Sequence, residues 1–295
     1  MRVTDQMLGN VLQQDLQSIQ QRLLQQQQQL ASGQQINQPS DNPAGTEQVL
    51  SLNHALAENQ QYEANAQQAL TWLQTTGQAL TNIVQLAQSL RTLAVGTTGT
   101  MPASQVQALA SQAAALLQSM VDAANTQQAG LYVFAGTDVQ QSSPPFSLNA
   151  SGQVTYQGNG LAMRMAIGPA AEVQTNTPGT VLLPLFSAVS QIVSDLQTGT
   201  TASLAQVGGS DLSTLDQALQ GVISAQGVAG SMAQEVQDAT TQLSSYGVQL
   251  QQLRASVLDT NVASAVVHLQ QLENTYQSAL AVGAQLMQPT LAKYL

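Results

Sequence analysis

Apolar residues at alternating spacings of three and four open the chain. Leu12, Leu16, Ile19, Leu23 and Leu30 recur this way, with Gln26 the one polar member. Such a heptad-like seam predicts a helix over 4–31 with one face packed on a partner helix. The other faces are mostly Gln, and the run "QQQQQ" at 25–29 reads as helix because the seam continues past it. The period returns from about 46 to 95 through Val49, Leu52, Leu56, Ala66, Leu70, Leu73, Leu80, Val84 and Ala87, interrupted by Asn59, Glu63 and Gly77. Fifty helical residues would span roughly 75 Å. A third helix is expected over 103–128, with Val106, Leu109, Ala113, Leu116, Met120 and Ala124 on one face.

Between 131 and 185 the period shortens. Val154 and Tyr156 alternate with polar neighbours, as do Leu161, Met163 and Met165; "NASG" and "GNG" are candidate hairpin turns. This predicts a small β insert with its own core. Helical pattern resumes at 184–198 and again over 211–257, where Leu243, Tyr246, Leu250, Leu253 and Val257 form a seam. A last helix is expected over 261–286, presenting Leu269, Leu272, Tyr276, Ala279, Gly283 and Leu286 on one face.

Two breaks set the terminal helices apart. The first is "SGQQINQPSDNPAG", where Gly33 suits a helix C-terminus, Pro39 and Pro43 stop a helix, Asn42 precedes a proline, and Gly45 adds another interruption. Asp41 sits in the middle of this connector, and Thr46 is a candidate cap for the second helix. The second break is "LDTN" at 258–261, with Asp259 a candidate cap. The layout is nearly palindromic. It predicts a mainly α protein: an elongated antiparallel bundle of long helices with its N- and C-terminal helices paired and a small central β domain inserted. Residues 1–32 and 262–295 would form a terminal coiled-coil domain, 33–45 and 258–261 connectors, 46–130 and 186–257 a helical rod, and 131–185 the insert. A few buried Leu and Ile side chains do not offset the entropy of ordering each terminal helix. These helices are therefore expected to be weakly ordered until neighbouring subunits pack on them.

Composition narrows the function. Charged residues are 7% of the chain, the six basic ones are scattered singly, and the net charge is −10. No basic face for nucleic acid or for an anionic membrane surface is expected. There is no cysteine, which excludes disulfides, cysteine–zinc sites and thiol nucleophiles. No run of about 18 apolar residues suggests a membrane span, and the first residues lack the apolar core of a signal peptide. His54 and His268 have no ligand-type neighbour at helical spacing, so no metal is expected. "GNG" at 158–160 is no dinucleotide fingerprint, and neither a Walker lysine nor G-x-S-x-G is present. The chain reads as a protein without catalytic residues or cofactor.

Both ends resemble one family. "LASGQQINQPSDNPAGTEQV" is similar to the segment after the first helix of flagellin-type axial proteins, and "LENTYQSALAVGAQLMQPTLAKYL" to their C-terminal helix. "MRVTDQM", "GLYVFAGTDVQQSSPPF" and "TLAKYL" resemble the hook-associated branch at the hook–filament junction more than flagellin itself. The resemblance implies that the terminal helices line an inner tube, the long helices form a rod, and the insert lies outside. It implies export from the cytoplasm through the flagellar type III apparatus without a cleavable signal, and an extracellular place in the flagellum. The implied partners are other copies of the chain in a ring-like layer, the first hook-associated protein, flagellin and a cytosolic export chaperone. Subunit contacts would fall on Leu12, Leu16, Ile19, Leu23 and Leu30 and on Leu269, Leu272, Tyr276 and Leu286. The alternatives are a short flagellin or, outside the family, a cytosolic helical signalling protein.

Overall fold

The computed structural model describes residues 2–97 and 99–287, and their side chains except those of residues 2–6, 8, 286 and 287. In chain order the elements are α1 (Arg2–Ser32), α2 (Pro43–Val95), α3 (Ala103–Ala124), β1 (Gln127–Gln128), β2 (Leu131–Tyr132), β3 (Phe146–Leu148), β4 (Val154–Tyr156), β5 (Arg164–Ala166) and β6 (Glu172–Gln174). A 3-10 turn (Gly179–Leu182) leads into α4 (Leu183–Thr198), then α5 (Thr201–Gln206), a π turn (Val207–Asp211), α6 (Leu212–Leu258) and α7 (Val262–Met287). The chain forms two compact units: residues 1–58 with 246–295, and residues 59–245.

The core of the second unit is built from four helices. α2 supplies Leu80, Ile83, Ala87 and Leu90; α3 supplies Ala113, Leu117 and Met120; α4 supplies Leu185, Phe186, Val189 and Ile192; α6 supplies Leu215, Leu219 and Val222. Burying Leu- and Ile-sized side chains stabilises by about 1.5–3 kcal/mol each, so this cluster dominates the stability of the unit. Together with its 3-10 turn, α4 (Gly179–Thr198) is long and apolar enough to cross a membrane, with mean hydropathy 1.4. More than half of that stretch is buried inside the unit. Its high apolar content reflects a helix largely covered by other elements.

The β segment is three separate antiparallel hairpins, β1–β2, β3–β4 and β5–β6. "NASG" does make the β3–β4 turn. "GNG" does not make a hairpin, because β4 and β5 do not pair with each other. Nor do the hairpins enclose the expected core of their own. Phe134 and Phe146 are buried in the same cluster as the four helices. Phe146 lies 4.8 Å from Tyr156 and 5.2 Å from Phe186, ring centre to ring centre. Tyr156 donates its hydroxyl towards the carbonyls of Phe134 and Asn159, at 2.8 and 2.9 Å. The β5–β6 hairpin buries Ile167 and Val173 against Ala66, Ala69 and Leu73 of α2 and Val236 of α6. Short hairpins gain their stability from such docking.

Asn59, an interruption in the α2 seam, is 4% exposed and donates to the Leu243 carbonyl of α6 at 3.0 Å. A buried amide needs such a partner.

Candidate assembly interface

The first unit contains the sequence-predicted residues. α1 packs on α7. On α1, Leu12, Leu16, Ile19, Leu23 and Leu30 are half-buried, as is Gln26, while most residues between them are exposed. On α7, Leu269, Leu272, Tyr276 and Ala279 are half-buried and Gly283 is buried. Gln20 Nε2 donates to the Tyr276 hydroxyl at 2.7 Å across the pair. Leu286 lies within α7, and its side chain is outside the described residues.

Two helices alone cannot cover each other, and apolar side chains remain open on both. Met7, Val11 and Leu24 of α1 are exposed, as are Val262, Val266, Val267, Leu280 and Val282 of α7. Sequence periodicity did not single these out because they lie off the seam. Exposed apolar side chains along a paired helix leave surface that a further partner can cover.

The connector is held by local chemistry. α1 ends at Ser32, and Gly33 takes a left-handed φ of +71° that residues with a Cβ rarely adopt. The reversed chain then pairs with the second break. Gln35 N donates to the Leu258 carbonyl at 2.8 Å, and Thr260 N to the Gly33 carbonyl at 2.9 Å. Gln34 and Asp259 form an antiparallel bridge, and Gln35 Nε2 donates to the Val257 carbonyl at 2.6 Å. The two breaks are thus a short antiparallel clasp.

Pro39 occupies the second position of a turn closed by Asp41 N donating to the Gln38 carbonyl at 2.9 Å. The Asp41 carboxylate accepts from Asn37 N and Gln38 N, both at 3.0 Å, and from Gln25 Nε2 of α1 at 3.1 Å. It ties the connector to α1.

The next helix begins earlier than expected. α2 starts at Pro43, and its cap is Asn42, whose Oδ1 accepts from Gly45 N at 3.0 Å. Thr46 lies inside the helix and does not cap it. Proline at the first helical position lacks only an N–H that would be unpaired anyway. Gly45 is therefore no break. It is buried in the first turn, where an added Cβ would meet Asn42 Nδ2 at 2.6 Å and Ile36 Cδ1 at 2.7 Å. Ile36, 8% exposed, anchors the connector. As the only large aliphatic residue in a polar stretch, it was the available signal. At the second break the cap is Asn261, whose Oδ1 accepts from Ser264 N at 3.2 Å, and not Asp259.

His54 is exposed beside Glu58, 3.3 Å away, and His268 lines a shallow groove with Arg22 and Gln29. Among the described residues, no three His, Asp or Glu side chains converge as metal ligands.

A terminal helix pair, a clasp of the two breaks and hairpins carried on long helices are consistent with a flagellin-like helical bundle. Residues 3–138 match the model of the bacterial flagellin N-terminal helical region. A search of curated proteins finds no match. Among solved structures, the chain is similar to one described as a flagellar hook-associated protein from Vibrio parahaemolyticus (TM-score 0.67, 16% identity, 74% of this chain and 100% of that one). It is also similar to Bacillus cereus FlgL (0.58, 22%, 70% and 99%) and to the flagellar junction protein FlgL from Legionella pneumophila (0.58, 16%, 73% and 100%). The chain has the fold of the flagellar hook-associated proteins.

Proposed function

We propose that this protein is a structural subunit of the bacterial flagellum at the hook–filament junction, and that it has no enzymatic role. The observation that carries this reading is the α1–α7 pair: two half-buried seams face each other while apolar side chains on both helices stay open. Such a pair is completed by further copies of itself. The likeness to junction proteins supports a layer between the first hook-associated protein and flagellin. The sparse charge supports close packing of like subunits, because the net charge of −10 is spread thinly along the chain. Export through the flagellar apparatus, with a cytosolic chaperone holding the C-terminal helix, belongs to the same proposal.

Deleting the gene in its native cell tests it. Hooks should still form, and flagellin should be released unpolymerised into the medium. Normal filaments after deletion would reject the junction role. Loss of the filament subunit itself, with no free flagellin in the medium, would point to a short flagellin instead.

A further inference from the structure

Two carboxyl groups are buried together in the second unit. Asp195, near the end of α4, and Asp211, at the end of the π turn, are 8% and 9% exposed. The π turn packs on α4, and Asp195 is near enough to Asp211 to raise its pKa. Gln191 Nε2 donates to Asp195 Oδ2 at 2.7 Å, and Ser210 Oγ to Asp211 Oδ1 at 3.2 Å. Asp211 Oδ2 has no donor among the described residues.

Two adjacent buried carboxylates are not both charged unless a cation intervenes. The neighbouring elements offer none. The π turn packs on α4, where Asp195 is the only charged residue, and on α5, which has none. Gly208 approaches the Thr97 carbonyl beyond α2. The nearest charges on α2 and α6, Arg91 and Asp216, bind each other. A calcium ion needs six to eight oxygen ligands, and no third acidic or His ligand joins this pair among the described residues. A proton on Asp211 removes the second buried charge.

The position gives that proton leverage. The Asp195 carbonyl accepts from Gly199 N at 3.1 Å and from Ser203 Oγ at 2.9 Å, and Thr200 and Ser203 form the capping box that starts α5. Asp195 thus joins the end of α4, the start of α5 and the π turn. We propose that Asp211 holds a proton in the folded protein, beside the buried Asp195, and that its loss as pH rises releases the π turn from α4 and loosens this end of the unit.

Burial, and then the neighbouring Asp195, hold the Asp211 carboxyl above the ordinary carboxylate range. The folded state therefore keeps a proton that the unfolded chain releases. The contribution is complete below the unfolded value and is lost as pH rises through the folded value.

Urea unfolding of the full chain tests this, monitored by fluorescence of Trp72, which lies in the same core cluster. The series runs from about pH 4 to pH 8. The wild-type unfolding constant should rise by up to about tenfold per pH unit through the titration. Asp211→Asn, which keeps a donor but cannot ionise, should lack that rise. Parallel pH profiles for the two proteins would overturn the proposal. Carbon-13 NMR of the wild-type aspartates gives a second readout. The Asp211 carboxyl should titrate above its ordinary value, and a full set of ordinary values would overturn the proposal. If added calcium restores wild-type stability at high pH but leaves Asp211→Asn unchanged, the pair is a cation site and the proton reading fails.

Discussion

A Cβ placed on Gly283 of α7 would stand 2.7 Å from Cδ2 of Leu12 on α1. The glycine is the hole that receives the leucine. An alanine there displaces only the end of a flexible side chain, and it gains about 0.8–1 kcal/mol of helix propensity over glycine, so Gly283→Ala should be near neutral. Gly283→Leu fills the hole, and overpacking should cost about 1–3 kcal/mol. Hydrogen exchange of the full chain should then show lost protection in α1 and α7 with the second unit unchanged. Adding Leu12→Ala should recover part of that protection.

The connector makes a graded prediction. Asn42→Ala removes the cap of α2 and should cost about 1 kcal/mol. Gly45→Ala should cost more, because the new methyl group displaces both the Asn42 amide and the buried Ile36. Exchange rates of the first-turn amides of α2 rank the two variants. Equal effects would mean that Ile36 contributes nothing.

The terminal seams could be read from the sequence because a half-buried helix shows one apolar stripe, and here the stripe and the half-burial coincide from Leu12 to Leu30. The more deeply packed α3 was harder. Ala110 and Leu117 are buried where Leu109 and Leu116 were expected, and the latter two are only partly covered. A helix covered over a wide arc has no single stripe, and its register blurs. The β segment showed its alternation but not its partner, since Phe146 reads alike whether it packs on a sheet or on Phe186. The mirrored breaks were visible as Gly and Pro. Their clasp was not, because it depends on main-chain bonds between residues over two hundred positions apart, which no local pattern encodes.

The β1–β2 hairpin turns through Ala129 and Gly130, with φ of +51° and +82°. Two positive φ values in a two-residue loop call for Asn-Gly. A left-handed alanine costs roughly 1–2 kcal/mol. Ala129→Asn should therefore stabilise the second unit by about 1 kcal/mol, read as a higher midpoint in thermal unfolding monitored at Trp72. A lower midpoint would show that the Ala129 side chain has a packing role.

Arg91 and Asp216 pair through two bonds, Nε to Oδ1 at 2.6 Å and Nη2 to Oδ2 at 3.2 Å. The guanidinium holds the Asp216 carboxyl below its ordinary value. Its contribution is present above the unfolded carboxylate value and fades as pH falls through the lowered one. Both side chains are partly exposed, so the effect is small and screened by salt. Arg91→Gln should flatten the acid side of the stability profile at low salt. It should leave intact the alkaline loss that comes from Asp211, and this opposite sign separates the two carboxyls in one titration.

The last prediction concerns Tyr276, whose ring packs in the α7 seam while its hydroxyl accepts from Gln20. Tyr276→Phe deletes one exposed hydrogen bond and keeps the ring, so its cost should stay near 0.5–1.5 kcal/mol and assembly should persist. Tyr276→Asp and Leu272→Asp put a charge into a half-buried apolar seam. Each should leave the second unit folded and the protein exported, because neither residue belongs to that unit, yet the flagella should carry no filament. Immunoblots of the culture medium together with electron microscopy of the hooks separate export from assembly. Full filaments on the two Asp variants would mean that the terminal pair is not the surface through which subunits join.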